Sequence, residues 1–309
     1  MVDWYHWAAF LVFLGSILAV DLLVLNREAH EVPFKEAMAW TAAWVALAAG
    51  FGAVVWLWRG GEVAGQYLAG YLIEWSLSVD NVFVFVLIFT HFAVPKAYQH
   101  RVLFWGVLGA IVLRLSFILG GSALLHRFDW VIYVFGGLLV FTAIRFLAER
   151  ERRRSLEESV ILRLVRRVVP ITETFEGQRL LLRRDGRLLA TPLLAVLVLI
   201  EATDIVFAID SVPAVFSVTR DAFVAFTSNA MAILGLRSLY FVLAGAVGKF
   251  RYLKPALAAI LAFVGAKMLT SELFEIPVAV SLTVIAAILA AGVVASLLRP
   301  APVPPSAGG

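Results

Sequence analysis

Nine apolar runs, most of them about as long as a bilayer is thick, leave this chain little choice of fold. They cover residues 4–25, 37–58, 66–90, 101–122, 129–147, 191–217, 221–245, 253–274 and 277–298. A hydrocarbon core of ~30 Å is crossed by about 20 residues rising ~1.5 Å each. No water reaches backbone N–H and C=O groups there, so each run closes its hydrogen bonds within itself as a helix. Composition agrees: 62% of the 309 residues are hydrophobic and 16% charged, with a mean hydropathy of +0.92. Soluble domains carry roughly 45–50% and about 25%. The expected fold is an all-α polytopic membrane protein with residues 1–298 as one transmembrane domain. The first run lacks a basic flank and a small-residue cleavage site, which reads as a retained helix and not a signal peptide. Zero cysteines exclude disulfides, thiolate metal sites and cysteine nucleophiles.

Charge placement gives an orientation. Residues 148–190 form the only long polar insert, with eleven Arg against seven acidic residues. Excess positive charge marks the cytoplasmic side. Alternating outward from that insert, the inner loops and tail hold Arg27, Lys35, Lys96, Arg101, Lys249, Arg251, Lys254 and Arg299, and the outer loops hold Arg59, Arg127 and Arg220. Both counts put the N-terminus outside and the C-terminus in the cytoplasm. The Arg surplus behind the sequence pI of 9.5 thus follows membrane topology, and no nucleic-acid partner is expected; the partner surface is the lipid bilayer. Within the insert, Leu156, Val160, Leu164, Val165 and Val168 share one helical face, the pattern of an interfacial helix or of a solvated loop. RLLLRRDGRLLA places Asp185-Gly186 between apolar-rich arms, a two-residue hairpin signal. The tail 299–309 is disordered by composition.

Span three reads EWSLSVDNV from Glu74, and span six reads DIVFAIDSV from Asp204. Each is an acid, five residues, an Asp, a small polar residue and Val. Fainter echoes link AIVLRLSF around Arg114 with AILGLRSLYF around Arg237, and AIRFL around Arg145 with GAKML around Lys267. Residues 66–147 and 191–274 therefore read as two repeats. They enter the membrane from opposite sides, which is the inverted architecture that secondary transporters use to bind ions near the midplane.

A carboxylate at the centre of a spanning helix costs ~2.5–3.5 kcal/mol on insertion scales. Glu74, Asp80, Glu201, Asp204 and Asp210 all lie inside spans, so they must be paired, protonated or liganded. Glu74 and Asn81 share a helical face, as do Asp204 and Ser211; Asp80 and Asp210 lie one step away, and Glu201 stacks one turn from Asp204. Asn229 adds an amide near the middle of span seven. Two such corners facing each other make a hard, oxygen-rich site suited to Mg²⁺, Ca²⁺ or Mn²⁺, whereas Zn²⁺ and Cu favour His, Cys and Met. All five His lie near span ends or in loops. Arg114 and Arg237 lie deep enough to compensate the acids when no cation is bound; protonation of a carboxyl does the same and gives proton exchange. A purely structural pairing of acids and bases is the simpler alternative, but buried pairs stabilise less than apolar packing. Asp21, near the cytoplasmic end of span one, reads as a cap or mouth residue.

EWSLSVDNVFVF, EATDIVFAIDSVPAVF and TSNAMAILGLRSLYF together resemble the TerC family of integral membrane proteins, and the likeness extends from DLLVLNREAHEV through RRDGRLLATPLL to GAKML. The resemblance implies a transporter of the LysE type that exports Mn²⁺ as its substrate from the bacterial cytoplasm, without a tightly bound cofactor. It implies an ion path through Asp80, Asn81, Asp204, Asp210, Ser211 and Asn229, and secreted or membrane metalloenzymes as recipients of the metal. Met231 stands where a bulky apolar residue is expected.

Two rivals belong to other classes. An intramembrane aspartyl protease would use two buried Asp, but its GxGD signature is missing: Val79 precedes Asp80 and Ile209 precedes Asp210. The chain is therefore not read as an enzyme. A non-transporting partner in a tellurite or stress-resistance complex, or a Ca²⁺ transporter, are the remaining alternatives. Oligomeric state is not encoded in any feature above.

Overall fold

The computed structural model describes residues 2–20, 32–148, 175–184, 187–244, 252–271, 273–274 and 276–298. Asp21, the apolar face of 156–168, the Asp185-Gly186 turn and the tail 299–309 lie outside the described residues. Apolar helices occur at every expected span: α1 (Trp4–Val20), α2 (Phe34–Arg59), α3 (Gly61–His91), α4 (Lys96–Arg127), α5 (Val131–Ala148), α6 (Pro192–Phe216), α7 (Ala222–Leu234), α8 (Leu236–Ala244), α9 (Leu253–Leu269) and α10 (Val278–Leu298). The expected span seven is α7 and α8 in succession, interrupted at Gly235. Taken as one rod, it joins five other helices that are long and apolar enough to cross a membrane; among the described residues α1, α5 and α9 give shorter apolar segments. The insert contributes the expected hairpin, β1 (Leu181–Arg184) and β2 (Arg187–Ala190), paired antiparallel with Arg184 opposite Arg187.

Local chemistry sets the boundaries. Gly60, at φ +87°, lets α2 stop and α3 start across one residue. Pro192 opens α6, where its missing N–H costs nothing. Asp221 caps α7 by accepting from the N–H groups of Phe223 and Val224 at 2.8 and 3.3 Å. It also takes an ion bond from Arg59 of α2 at 2.5 Å.

Helices α3, α4, α6 and α7 form the interior, with α3 against α6 and α7, and α4 against the same two. Outside them, α1 and α2 cover α7 through aromatic contacts; the Phe10 ring centroid lies 6.0 Å from Phe223 and 5.8 Å from Phe226. On the other flank α5 and α9 pack along each other and α10 closes over α3 and α9.

Lipid is as apolar as leucine, so helices inside a bilayer associate by close fit, and small residues permit it. Glycines make the fit here in reciprocal fashion. A Cβ on Gly136 of α5 would lie 3.0 Å from the Gly265 carbonyl oxygen of α9, and a Cβ on Gly265 would lie 2.9 Å from that of Gly136. Gly136 also faces Leu269, as Gly265 faces Val140; the separations 265−136 and 269−140 are both 129. In the interior, Gly70 of α3 faces Ser228 of α7 and Gly106 of α4 faces Ile200 of α6.

Adding a methyl at Gly265 drives it into backbone atoms that cannot swing aside, whereas Gly120 on α4 has nothing within 4 Å. Gly265→Ala is expected to lose ~1–3 kcal/mol, the usual range for overpacking, and Gly120→Ala to change stability by far less. Thermal unfolding of both variants in detergent checks the contrast; equal midpoints would remove the crossing from the stabilising contacts.

Candidate functional site

The interior helices converge on one guanidinium. Arg114 lies in the middle of α4 and is 1% exposed. Its Nη1 donates to Glu74 Oε2 of α3 and to Ser211 Oγ of α6, both at 2.6 Å. Nε and Nη2 donate to the two carboxylate oxygens of Asp204 at 3.4 and 3.3 Å. Asn229 of α7 donates from Nδ2 to Glu74 Oε2 at 2.8 Å. Glu74 is 0% and Asp204 3% exposed. One fixed cation thus faces two carboxylates, and the planar fork of Arg is what allows it to serve both.

The cluster is not closed. Glu74 Oε1, Ser78 Oγ, Asn81 Oδ1 and Asn229 Oδ1 are buried with no hydrogen-bond partner among the described residues. Glu74, Ser78 and Asn81 follow at i, i+4 and i+7 and so share one stripe of α3. These three oxygens and Asn229 Oδ1 of α7 are hard donors, with no sulfur or imidazole among the four.

Four of the expected site residues therefore meet, Glu74, Asp204, Ser211 and Asn229 with Arg114, and Asn81 lies two turns along the Glu74 face of α3. Two others are placed differently, and a third is not described. Asp210 is half-buried and turned toward α5, where Thr142 Oγ1 donates to its Oδ1 at 2.8 Å. Glu201, also half-buried, fits against Gly109 of α4, whose missing side chain makes the space its carboxylate fills. Asp80 has its backbone in α3 and its side chain outside the described residues. Among the described residues no three His, Cys, Asp or Glu side chains gather into a group of metal-binding size.

Arg237, expected beside Arg114 in the role of compensating cation, lines a separate cavity of about 10 Å³ with Leu18, Trp44, Phe104, Val107 and Leu234. Arg237 stands on α8, past the break at Gly235 that separates it from Asn229 on α7. Sequence reading also missed Ser78, Gly109 and Thr142. Ser78 carried a signal, lying on the Glu74–Asn81 stripe; a glycine notch and a threonine on a neighbouring helix have none.

Arg114→Met leaves two buried carboxylates without their cation. The expected cost is ~3–5 kcal/mol, typical when one partner of a buried pair is removed. Adding Glu74→Gln and Asp204→Asn to that variant should recover a large part of the loss. A triple-mutant cycle by unfolding in detergent reads this directly, and strict additivity would separate the three residues.

The chain matches the model of the integral membrane protein TerC family over residues 59–301. It is 53% identical over 293 residues to an uncharacterized membrane protein of Myxococcus xanthus, covering 95% of this chain and 92% of the relative. A protein of Escherichia coli K12 named as a candidate membrane-bound redox modulator, Alx, is 45% identical over 292 residues, covering 92% and 91%. An uncharacterized membrane protein of Rickettsia felis is 39% identical over 293 residues, covering 95% and 97%. No solved structure matches. On the strength of the family match and these full-length relatives, the chain is a multi-pass integral membrane protein that belongs to the TerC family.

Proposed function

We propose that the chain is a secondary transporter that carries Mn²⁺, its substrate, out of the bacterial cytoplasm across the inner membrane. The observation that carries this reading is the row of unpartnered buried oxygens on α3 and α7 beside carboxylates already held by a cation. Unsatisfied buried polar atoms each cost about 1–3 kcal/mol, so a chain retains them where something binds. Oxygen donors of this kind match a hard divalent ion.

In this reading Arg114 and the metal compete for Glu74 and Asp204. An arriving ion takes the carboxylates and the guanidinium withdraws; when the ion leaves, Arg114 returns and neutralises them, keeping the reorientation of the ion-free protein affordable. A proton on Asp210 or Glu74 is the exchanged charge. The two repeats, with reciprocal glycine contacts between them, supply the two halves that rock about the site. Export chemistry needs no covalent step and no tightly bound cofactor, and extracytoplasmic metalloenzymes are the recipients of the ion.

One observation favours a second reading, a stress-related partner role: the Escherichia coli relative bears a redox modulator's name. With no cysteine, this chain has no thiol or disulfide chemistry of its own to carry such a role. Flux by the purified chain alone separates the two.

Inside-out proteoliposomes should accumulate radiolabelled Mn²⁺, with Ca²⁺ as competitor and a pH gradient imposed or removed. Asp80→Asn and Asp210→Asn are each expected to abolish uptake while inserting at wild-type level. Full uptake by both variants would overturn the assigned path.

A further inference from the structure

A groove of about 430 Å³ opens on the flank of the bundle between α4, α5 and α6. Its walls include Phe117 and Leu124 of α4, Phe135 and Leu138 of α5, and Ile209 and Val212 of α6. The volume is that of small-ligand sites, ~300–1,000 Å³. Gly120 faces the open space, where a Cβ would meet nothing within 4 Å, and its neighbour Gly121 is packed against Phe216.

The depth of the groove follows from its neighbours. Helix α4 ends at Arg127 and α5 begins at Val131. The turn between them is exposed, with Phe128 at 42% and Trp130 at 61%, and the Arg127 guanidinium lies 6.0 Å from the Phe128 ring centroid. Exposed Trp beside charged residues marks headgroup level. Ser116 to Leu124 lie about 5–17 Å deeper along α4 at ~1.5 Å per residue, which is acyl-chain depth.

The turn also carries opposite charges two residues apart, Arg127 and Asp129, both exposed. A phosphate suits Arg127. An anionic headgroup would leave Asp129 facing like charge, and a choline ammonium has no N–H to donate to a carboxylate; a primary ammonium satisfies it. We propose that the groove holds one acyl chain of an aminophospholipid of the phosphatidylethanolamine class, its phosphate on Arg127 and its ammonium on Asp129. The chain lies against Ala208, Val212 and Pro213, on the helix that carries Asp204 and Asp210, and beside the α5–α6 seam crossed by the Thr142–Asp210 bond. The lipid is thus a packing element of that seam, whatever the protein transports.

Native mass spectrometry of the delipidated full chain, titrated with phosphatidylethanolamine, phosphatidylcholine and phosphatidylglycerol of identical chains, tests this. One phosphatidylethanolamine is expected to bind about fivefold more tightly than either of the others, the upper range for one exposed ion pair. Asp129→Asn should erase that preference, Arg127→Gln should weaken all three, and Gly120→Trp should remove the site by filling it. Ser116→Phe fills the same groove from the next turn and serves if Gly120→Trp does not fold. Equal binding of the three lipids by the unaltered chain, or unchanged binding in the filled variants, overturns the proposal.

Discussion

A guanidinium held between two carboxylates at the centre of a membrane protein ties together helices that lipid alone would leave indifferent to one another. Arg114 comes from α4, Glu74 from α3, Asp204 and Ser211 from α6, and Asn229 from α7. No subset of these helices can leave without stranding charge in a medium of low dielectric, where the penalty is several kcal/mol per ion. The interior is therefore cooperative through electrostatics first and packing second. Its charges do not balance, because one positive charge meets two negative ones, and four buried oxygens on α3 and α7 find no partner among the described residues.

That cluster depends in turn on close backbone approach. Gly70, Gly106 and Gly109 bring α3 and α4 against α7 and α6 at distances that a larger residue would prevent. Gly70 faces Ser228, the neighbour of Asn229; Gly109 houses the Glu201 carboxylate one turn from Asp204. Small residues thus determine how far apart the polar groups stand, and side chains determine only which atoms meet.

The sequence made the spans legible because hydrocarbon thickness and backbone satisfaction admit few solutions, and the helices observed match their expected positions within a few residues wherever they are described. Buried acids were legible for a related reason: charge in an apolar run is costly enough to demand a cause. The hairpin at Leu181–Ala190 was readable from its Asp-Gly turn. What failed was relative rotation. Arg237 looks equivalent to Arg114 by local pattern, yet it stands past the break at Gly235 and lines a different cavity. Asp210 lies on the same helix as Asp204, and only packing against α5 reveals Thr142 as its partner. Such errors share one cause, since sequence spacing gives the angle between residues on one helix and nothing about the helix it meets.

The pairing of α5 with α9 has a consequence for how that flank moves. The Gly136 and Gly265 carbonyl oxygens stand 2.9 and 3.0 Å from where a Cβ on the opposite glycine would be, so backbone meets backbone with no side chain between them. A contact of that kind has no rotamers to absorb a displacement, because close-packed interiors transmit strain and do not yield to it. Any push on one of the two helices is therefore passed to the other, and the flank responds as one stiff unit.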